Sequence, residues 1–222
     1  MSDDSFIREV NEEFRQDQMK SLWRRYGALA VGIAALLILA TASWVGYDYW
    51  STSRANQAGD AFAQALELAD EGQTEEALAA LEELETSGYG DYPMLARLRA
   101  ATLLAEAGRY EEAVAKFDAV AANGSAPAAI RDLANLRAGL ILVDHGSYAD
   151  VAARVEALTD DDNPMRHTAR EALALAAWKE GDRENALALF EQIIDDPRAP
   201  SGTRQRAEMM SELIAGSASE SG

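Results

Sequence analysis

Apolar residues recur along this chain at helical spacing, and one long apolar run interrupts the pattern. In residues 4–23 the apolar positions Phe6, Ile7, Val10, Phe14, Met19, Leu22 and Trp23 fall mostly three or four apart. That spacing predicts an amphipathic helix. From Gly27 to Tyr47 there are 21 residues without Asp, Glu, Lys or Arg. A helix of that length rises about 31 Å, close to the ~30 Å hydrocarbon core of a bilayer. From Ala55 onward the helical spacing returns, in a sequence rich in Ala, Leu, Glu and Arg and without strand-like alternation.

The flanks of the apolar run fit a membrane span. Lys20, Arg24 and Arg25 precede it, with Trp23 and Tyr26 at that end; Trp44, Tyr47, Tyr49 and Trp50 mark the other. Aromatic rings favour the headgroup zone, polar at one edge and apolar in the body. Near the run, within about 15 residues, Arg15, Lys20, Arg24 and Arg25 lie on the N-terminal side, and only Arg54 on the other. Basic residues stay cytoplasmic, so the expected orientation has the N-terminus inside and everything after Trp50 outside. Ala40-Thr41-Ala42 resembles a signal-peptide cleavage site, but the segment before the run is 26 residues long and carries six acidic groups. An uncleaved single-pass anchor is therefore expected. The amphipathic segment ahead of it reads equally as a contact helix for a membrane partner or as a helix lying on the headgroups. Inside the span, Ala28/Gly32 and Ala30/Ala34 are small residues four apart, which read as lipid-facing filler rather than a dimer seam.

The remainder repeats itself. Four segments align on a glycine: Gly72-QTEEALAALEEL, Gly108-RYEEAVAKFDAV, Gly146-SYADVAARVEAL and Gly181-DRENALALFEQI, with glycines 36, 38 and 35 residues apart. Five residues on stand Ala77, Ala113, Val151 and Ala186; nine on, Leu81, Phe117, Val155 and Phe190; twelve on, Leu84, Val120, Leu158 and Ile193. Seven before stand Ala65, Ala101, Gly139 and Ala174. The glycine ends one helix and turns the chain. Small residues bring the paired helices close, and large ones fill the seam with the next pair, so units must stack to bury their faces. Pro93, Pro127, Pro164 and Pro197 fall between units. Helices are expected at 54–71 and 74–86, 93–107 and 110–122, 127–145 and 148–159, 164–180 and 183–195, with a capping helix at 200–214. The expected division is a cytoplasmic amphipathic tail over 1–26, a transmembrane helix over 27–50, a helical-repeat domain over 51–215 and a disordered tail over 216–222.

Net charge is −18, of which −16 lies in residues 51–222, with 15 basic and 31 acidic side chains. So acidic a domain repels nucleic acid and anionic headgroups. No cysteine is present, which excludes disulfides and thiolate metal sites. His145 and His167 fall in no metal-ligand spacing. Asp160-Asp161-Asp162-Asn163 lacks the alternation, Gly and closing Glu of a calcium loop and reads as a solvated turn that caps the next helix. Glu75-Glu76 and Glu111-Glu112 open helices, where the dipole favours them. Asn123-Gly124-Ser125 matches a glycosylation acceptor but reads as a turn. No phosphate loop, nucleophile elbow or triad spacing appears, so no enzyme, cofactor or metal is expected.

The spacing resembles the tetratricopeptide repeat. The second unit carries it best, with Ala101, Gly108, Tyr110, Ala113, Phe117 and Pro127; the fourth keeps Ala174, Gly181, Ala186 and Phe190. The first keeps Ala65, Gly72 and Ala77 but has Thr74 in place of the tyrosine, and the third departs most, with Gly139 and Val151 where Ala is usual. The opening FIREVNEEFRQDQMKSLWRRYG, the span and the repeats together resemble the YfgM-like family of ancillary Sec translocon subunits. The resemblance implies an all-α architecture: one transmembrane helix, then a periplasmic α-solenoid of about four helix pairs plus a cap, in the bacterial inner membrane. It implies association with translocon subunits, periplasmic chaperones or emerging polypeptides, and it carries no catalytic residues.

In tetratricopeptide stacks the first helix of each unit lines the concave face. By register that face includes Phe62, Leu66, Leu95, Arg99, Thr102, Leu133, Arg137, Leu140, Trp178 and Lys179. Arg99 and Arg137 occupy equivalent places in adjacent units, where two guanidinium groups could hold a carboxylate. Intradomain salt bridges are the simpler expectation for them. Trp178 fits either a contact aromatic or core packing. The expected function is a membrane-tethered protein-interaction module; the alternative is a structural scaffold for an envelope or cell-division complex.

Overall fold

The computed structural model describes the backbone of residues 3–219, and the side chains of residues 20, 23–29 and 31–216. Regular structure among the described residues is entirely helical. The chain divides into two units, Met1–Asn56 and Gln57–Gly222.

The first helix, α1, runs Asp3–Asp70. Three separate elements were expected here: an amphipathic helix, a span and the helix 54–71. They are one helix. The polarity of the side chains changes twice along it, but backbone hydrogen bonding is indifferent to polarity, and no proline interrupts it. Hydroxyls that compete with the backbone elsewhere are absorbed: Thr41 Oγ1 donates to the Leu37 carbonyl at 2.8 Å, and Ser51 Oγ to the Asp48 carbonyl at 3.0 Å. The apolar part is long enough to cross a membrane, with a mean hydropathy of 2.3 and none of it buried. The Arg25 guanidinium lies 5.8 Å from the Tyr26 ring and that of Arg54 lies 5.3 Å from the Trp50 ring, one cation–aromatic contact at either end. The side chains of the amphipathic stripe from Phe6 to Met19, and that of Leu22, lie outside the described residues.

In the second unit the helices alternate as pairs: α2 Thr74–Ser87, α3 Tyr92–Glu106, α4 Tyr110–Ala121, α5 Ala128–His145, α6 Tyr148–Val155, α7 Arg166–Lys179, α8 Arg183–Ile194 and α9 Ser201–Ser219. Each packs on its successor. The turn glycines explain the frame. Gly72, Gly108 and Gly181 have φ of 79°, 78° and 86°, left-handed values that side chains resist. Gly146 is extended instead, with φ −132°. There the third unit uses a side-chain device: Ser147 Oγ accepts from the Asp150 N–H at 3.2 Å, while Asp150 Oδ2 accepts from the Ser147 N–H at 3.0 Å. The S-x-x-D spacing that signals this box is legible in Ser147-Tyr148-Ala149-Asp150.

The same unit explains its odd Gly139. A Cβ at that position would collide with Val155 Cγ1. Where the second and fourth units pair Ala with Phe, the third pairs glycine with a β-branched Val, a different solution to the same close helix approach. Four buried clusters run along the stack. One joins Ala58 and Ala65 to Leu81 and Ala96; another holds Ala101, Phe117, Val120, Ala134 and Ala138. The third centres on Val151, Val155 and Leu173, and the last on Phe190, Ile193, Ala207 and Ile214. Each contains residues from consecutive pairs, so no pair completes its core alone.

The expected boundaries shift in three places. The α6 helix ends at Val155, and a single 3-10 turn, Glu156–Leu158, buries Leu158. Helix α7 starts at Arg166 rather than 164, because Asn163 Oδ1 accepts from the Met165 N–H at 2.8 Å and holds Pro164 in a turn. Helix α9 continues to Ser219, beyond the expected stop at 214 and into the stretch expected to be disordered; residues 220–222 lie outside the described residues.

Candidate functional site

Where α5 meets α7, and α7 meets α9, first helices of successive repeats pack on each other. Helices α3 and α5 are bridged by α4 instead, which leaves a pocket of about 210 Å³ lined by Thr102, Ala105, Phe117, Arg137, Leu140 and Ile141. Phe117 is 3% exposed and fixed in the core. The walls come from Ala105 on α3 and from Leu140 and Ile141 on α5. Thr102, also in the lining, donates its hydroxyl to the Leu98 carbonyl at 3.0 Å. Small-molecule sites run to about 300–1,000 Å³. This volume suits one large side chain of a protein partner.

Arg137 is the only charged residue of the lining. Salt bridges were the simpler expectation for Arg99 and Arg137. Arg137 is exposed and makes no ion pair or hydrogen bond among the described residues. Arg99 reaches Glu106 only at 4.0 Å, and its buried Nε has no partner. The local sequence gives the reason. Helical neighbours three or four residues from Arg137 are Leu133, Ala134, Leu140 and Ile141; those of Arg99 are Leu95, Ala96, Thr102 and Leu103. Neither arginine has a carboxylate within one turn.

The other register-picked residues scatter. Leu140 joins Thr102 and Arg137 in the pocket, whereas Leu95 is exposed and Leu133 half-buried outside it. Phe62 packs on the first core, its ring 6.0 Å from that of Tyr92, and Leu66 is half-buried beside it in sequence. Trp178 is 40% exposed at the end of α7. Lys179 is engaged: its Nζ donates to the carbonyls of Val143 at 3.0 Å, Asp144 at 2.7 Å and Gly146 at 3.1 Å. It caps the C-terminus of α5, a cation on the negative end of a helix dipole. Phe117, Ala105 and Ile141 were not picked as site residues, because the register assigned Phe117 to the seam and left the other two unremarked. His145 ends α5 with its ring stacked 3.6 Å from that of Tyr110.

Elsewhere in the stack several cations are paired with carboxylates. Glu85 accepts from Arg97 Nε at 3.1 Å and Lys116 Nζ at 2.6 Å, and Asp118 from Arg154 Nη2 at 2.8 Å. At the far end, the Asp196 carboxylate accepts from Arg166 Nη2 at 2.7 Å, lies 2.8 Å from His167 Nε2 and accepts from the Arg198 N–H at 2.8 Å. The Arg198 backbone donor, then the Arg166 guanidinium and His167, stabilise the carboxylate and hold its pKa far below the usual carboxylate range. Arg170 binds Asp161 at 2.7 Å, and Arg206 binds Glu171 at 2.6 Å. These pairs tie repeat to repeat, whereas the cation that lines the α3–α5 pocket is left without one.

Comparison with known proteins agrees with this architecture. The tetratricopeptide repeat-like domain model matches residues 20–163, and a tetratricopeptide repeat model matches residues 136–202. The first match begins at Lys20 and so takes in the apolar segment along with three repeats. No curated protein and no solved structure matches the chain. Repeats of this kind are typically protein-interaction modules. By the extent of the match, the chain belongs to the tetratricopeptide repeat-like domain family.

Proposed function

We propose that the protein is a single-pass docking module: the apolar helix anchors it in a bacterial inner membrane, and the repeat stack receives partner proteins on the periplasmic side. In the finer reading it is an ancillary subunit of the Sec translocon that passes emerging chains to chaperones. The observation that carries the docking role is the repeat family match, which runs without a break from the apolar helix into the stack. The asymmetry of basic residues supports the orientation. The likeness of the opening segment to YfgM-like proteins supports the translocon assignment. Tethering keeps the local concentration high, so a shallow pocket with a weak affinity suffices.

Two measurements test this. Protease added to intact spheroplasts should digest the repeat domain and spare the tail. Purification from mild detergent should recover translocon subunits in fixed proportion. A protected repeat domain overturns the orientation, and a stable homo-oligomer without translocon overturns the assignment in favour of a scaffold.

A further inference from the structure

We infer that the α3–α5 pocket takes a partner segment in which one large apolar side chain is followed closely by a single carboxylate, the carboxylate pairing with Arg137. This rests on the docking reading and names the chemistry that its groove selects.

The argument starts from charge. Residues 51–222 hold 31 acidic and only 15 basic side chains. With two carboxylates for each cation, an arginine is expected to find one. Arg97, Arg109, Arg154, Arg166, Arg170, Arg198 and Arg206 all do. Among the described residues, Arg54, Arg131, Arg137, Arg183 and Arg204 form no ion pair; Arg54 lies over the Trp50 ring and Arg204 donates to carbonyls, whereas Arg137 lines a pocket whose other walls are Ala105, Phe117, Leu140, Ile141 and Thr102. Arg99, one repeat back in the same register, keeps its Nε buried and without an acceptor. An apolar recess beside an unspent guanidinium is complementary to an apolar side chain beside a carboxylate.

Charge also selects against a polyacidic partner. The −16 domain repels acids, but that field is screened beyond about 8 Å at physiological ionic strength. A long acidic run would carry several charges through it with only one guanidinium to meet them. A single carboxylate, delivered when its apolar neighbour enters the recess, meets Arg137 at close range. The ligand class is therefore an extended or helical segment with one Leu, Met or Phe and one Asp or Glu within a turn of it.

The test uses the full chain in mild detergent and a displayed library of random 12-residue peptides. Peptides enriched on the wild type should carry that apolar–acidic pairing. Their enrichment should vanish on Arg137→Gln, an exposed position at which the thermal transition stays put. By fluorescence anisotropy, changing the peptide's Asp or Glu to the amide should weaken binding about tenfold to the wild type, the loss of one charge-assisted hydrogen bond, and leave binding to Arg137→Gln unchanged. Enrichment of apolar or basic peptides that ignore Arg137→Gln overturns the carboxylate preference while leaving the docking role intact. Enrichment of nothing overturns the pocket as a binding site; the docking role is judged separately, by co-purification.

Discussion

The third and fourth repeats carry the same pair of charges at the same spacing and resolve them differently. Arg131 and Asp161 stand 15 residues before and after Gly146; Arg166 and Asp196 stand 15 before and after Gly181. In the fourth repeat the pair closes, with Arg166 Nη2 2.7 Å from Asp196 Oδ2 and only a tenth of either side chain or less exposed. In the third it stays open. Asp161 turns outward to Arg170, with its side chain 84% exposed, and the buried Nε of Arg131 has no partner. The neighbours differ. Beside Arg166 stands His167, which contacts Asp196 at 2.8 Å, and Arg198 follows in the turn. Beside Arg131 stands Asp132, whose carboxylate accepts from Asn163 Nδ2 at 3.5 Å, in the loop that carries Asp161. The third repeat thus has a carboxylate where the fourth has the histidine that contacts Asp196, and Asp161 is taken by Arg170 instead. A repeat frame fixes where charges can meet; that the adjacent residue, Asp132 or His167, decides whether they do is the rule that His167→Asp and Asp132→His test.

The largest effect should come from breaking the closed pair. Arg166→Ala leaves a carboxylate facing the core with fewer partners and should cost about 3 kcal/mol, seen as a lower urea midpoint. Acid should reach the same cluster from the other side. Asp196 has its pKa held down in the folded state, chiefly by the Arg198 N–H and Arg166. Its contribution is therefore complete above the ordinary carboxylate range, near pH 4, and drains away as the pH falls below that toward the folded value. Melting temperatures followed from pH 6 to pH 3 should fall steeply for the wild type, and less steeply for Asp196→Asn, which starts lower.

What the sequence reveals divides along the same line, between local and distant causes. The stack was legible because its signals lie within one pair: the glycine frame, and Ala113 and Phe117 at fixed offsets from Gly108. Thr102, Arg137 and Leu140 were legible as neighbours because register places them on one face. The continuity of α1 was not, since side-chain polarity changes at Gly27 and Trp50 while the backbone has no reason to break. The role of Lys179 was hidden for a different reason: its acceptors, the carbonyls of Val143, Asp144 and Gly146, come from another helix end. The freedom of Arg137 is a third case. Local spacing showed that no acid lies within a turn of it, but only the fold shows that no neighbouring element brings one.

Moving a residue from the open repeat into the closed one should give the next effect. His167→Asp places a second carboxylate against Asp196, as Asp132 stands near Asp161. The loss of a buried partner together with like-charge repulsion should cost about 2 kcal/mol. Arg131→Ala makes the opposite point. That guanidinium already lacks a partner at Nε, so its removal should change stability by no more than about 0.5 kcal/mol. A cost as large as that of Arg166→Ala would mean that Arg131 is paired in solution and that the two repeats do not differ.

The smallest effect is the most discriminating, because it must be a gain. Asp132→His gives the third repeat the neighbour that the fourth already has. It removes a carboxylate from beside Asp161 and offers an imidazole in its place. Two outcomes compete. Asp161 is now held by Arg170, which also donates to the Thr159 carbonyl at 2.7 Å. If that grip prevails, the substitution is silent. If repulsion from Asp132 is what keeps the pair apart, Asp161 should swing inward to Arg131 and stability should rise by about 0.5–1 kcal/mol, the worth of a modest ion pair. The gain should disappear in the double variant with Arg131→Ala, since a double-mutant cycle isolates the new contact from any effect of the histidine on helix propensity. A gain that survives loss of Arg131 would place the cause elsewhere in α5 and remove the neighbour rule drawn from these two repeats.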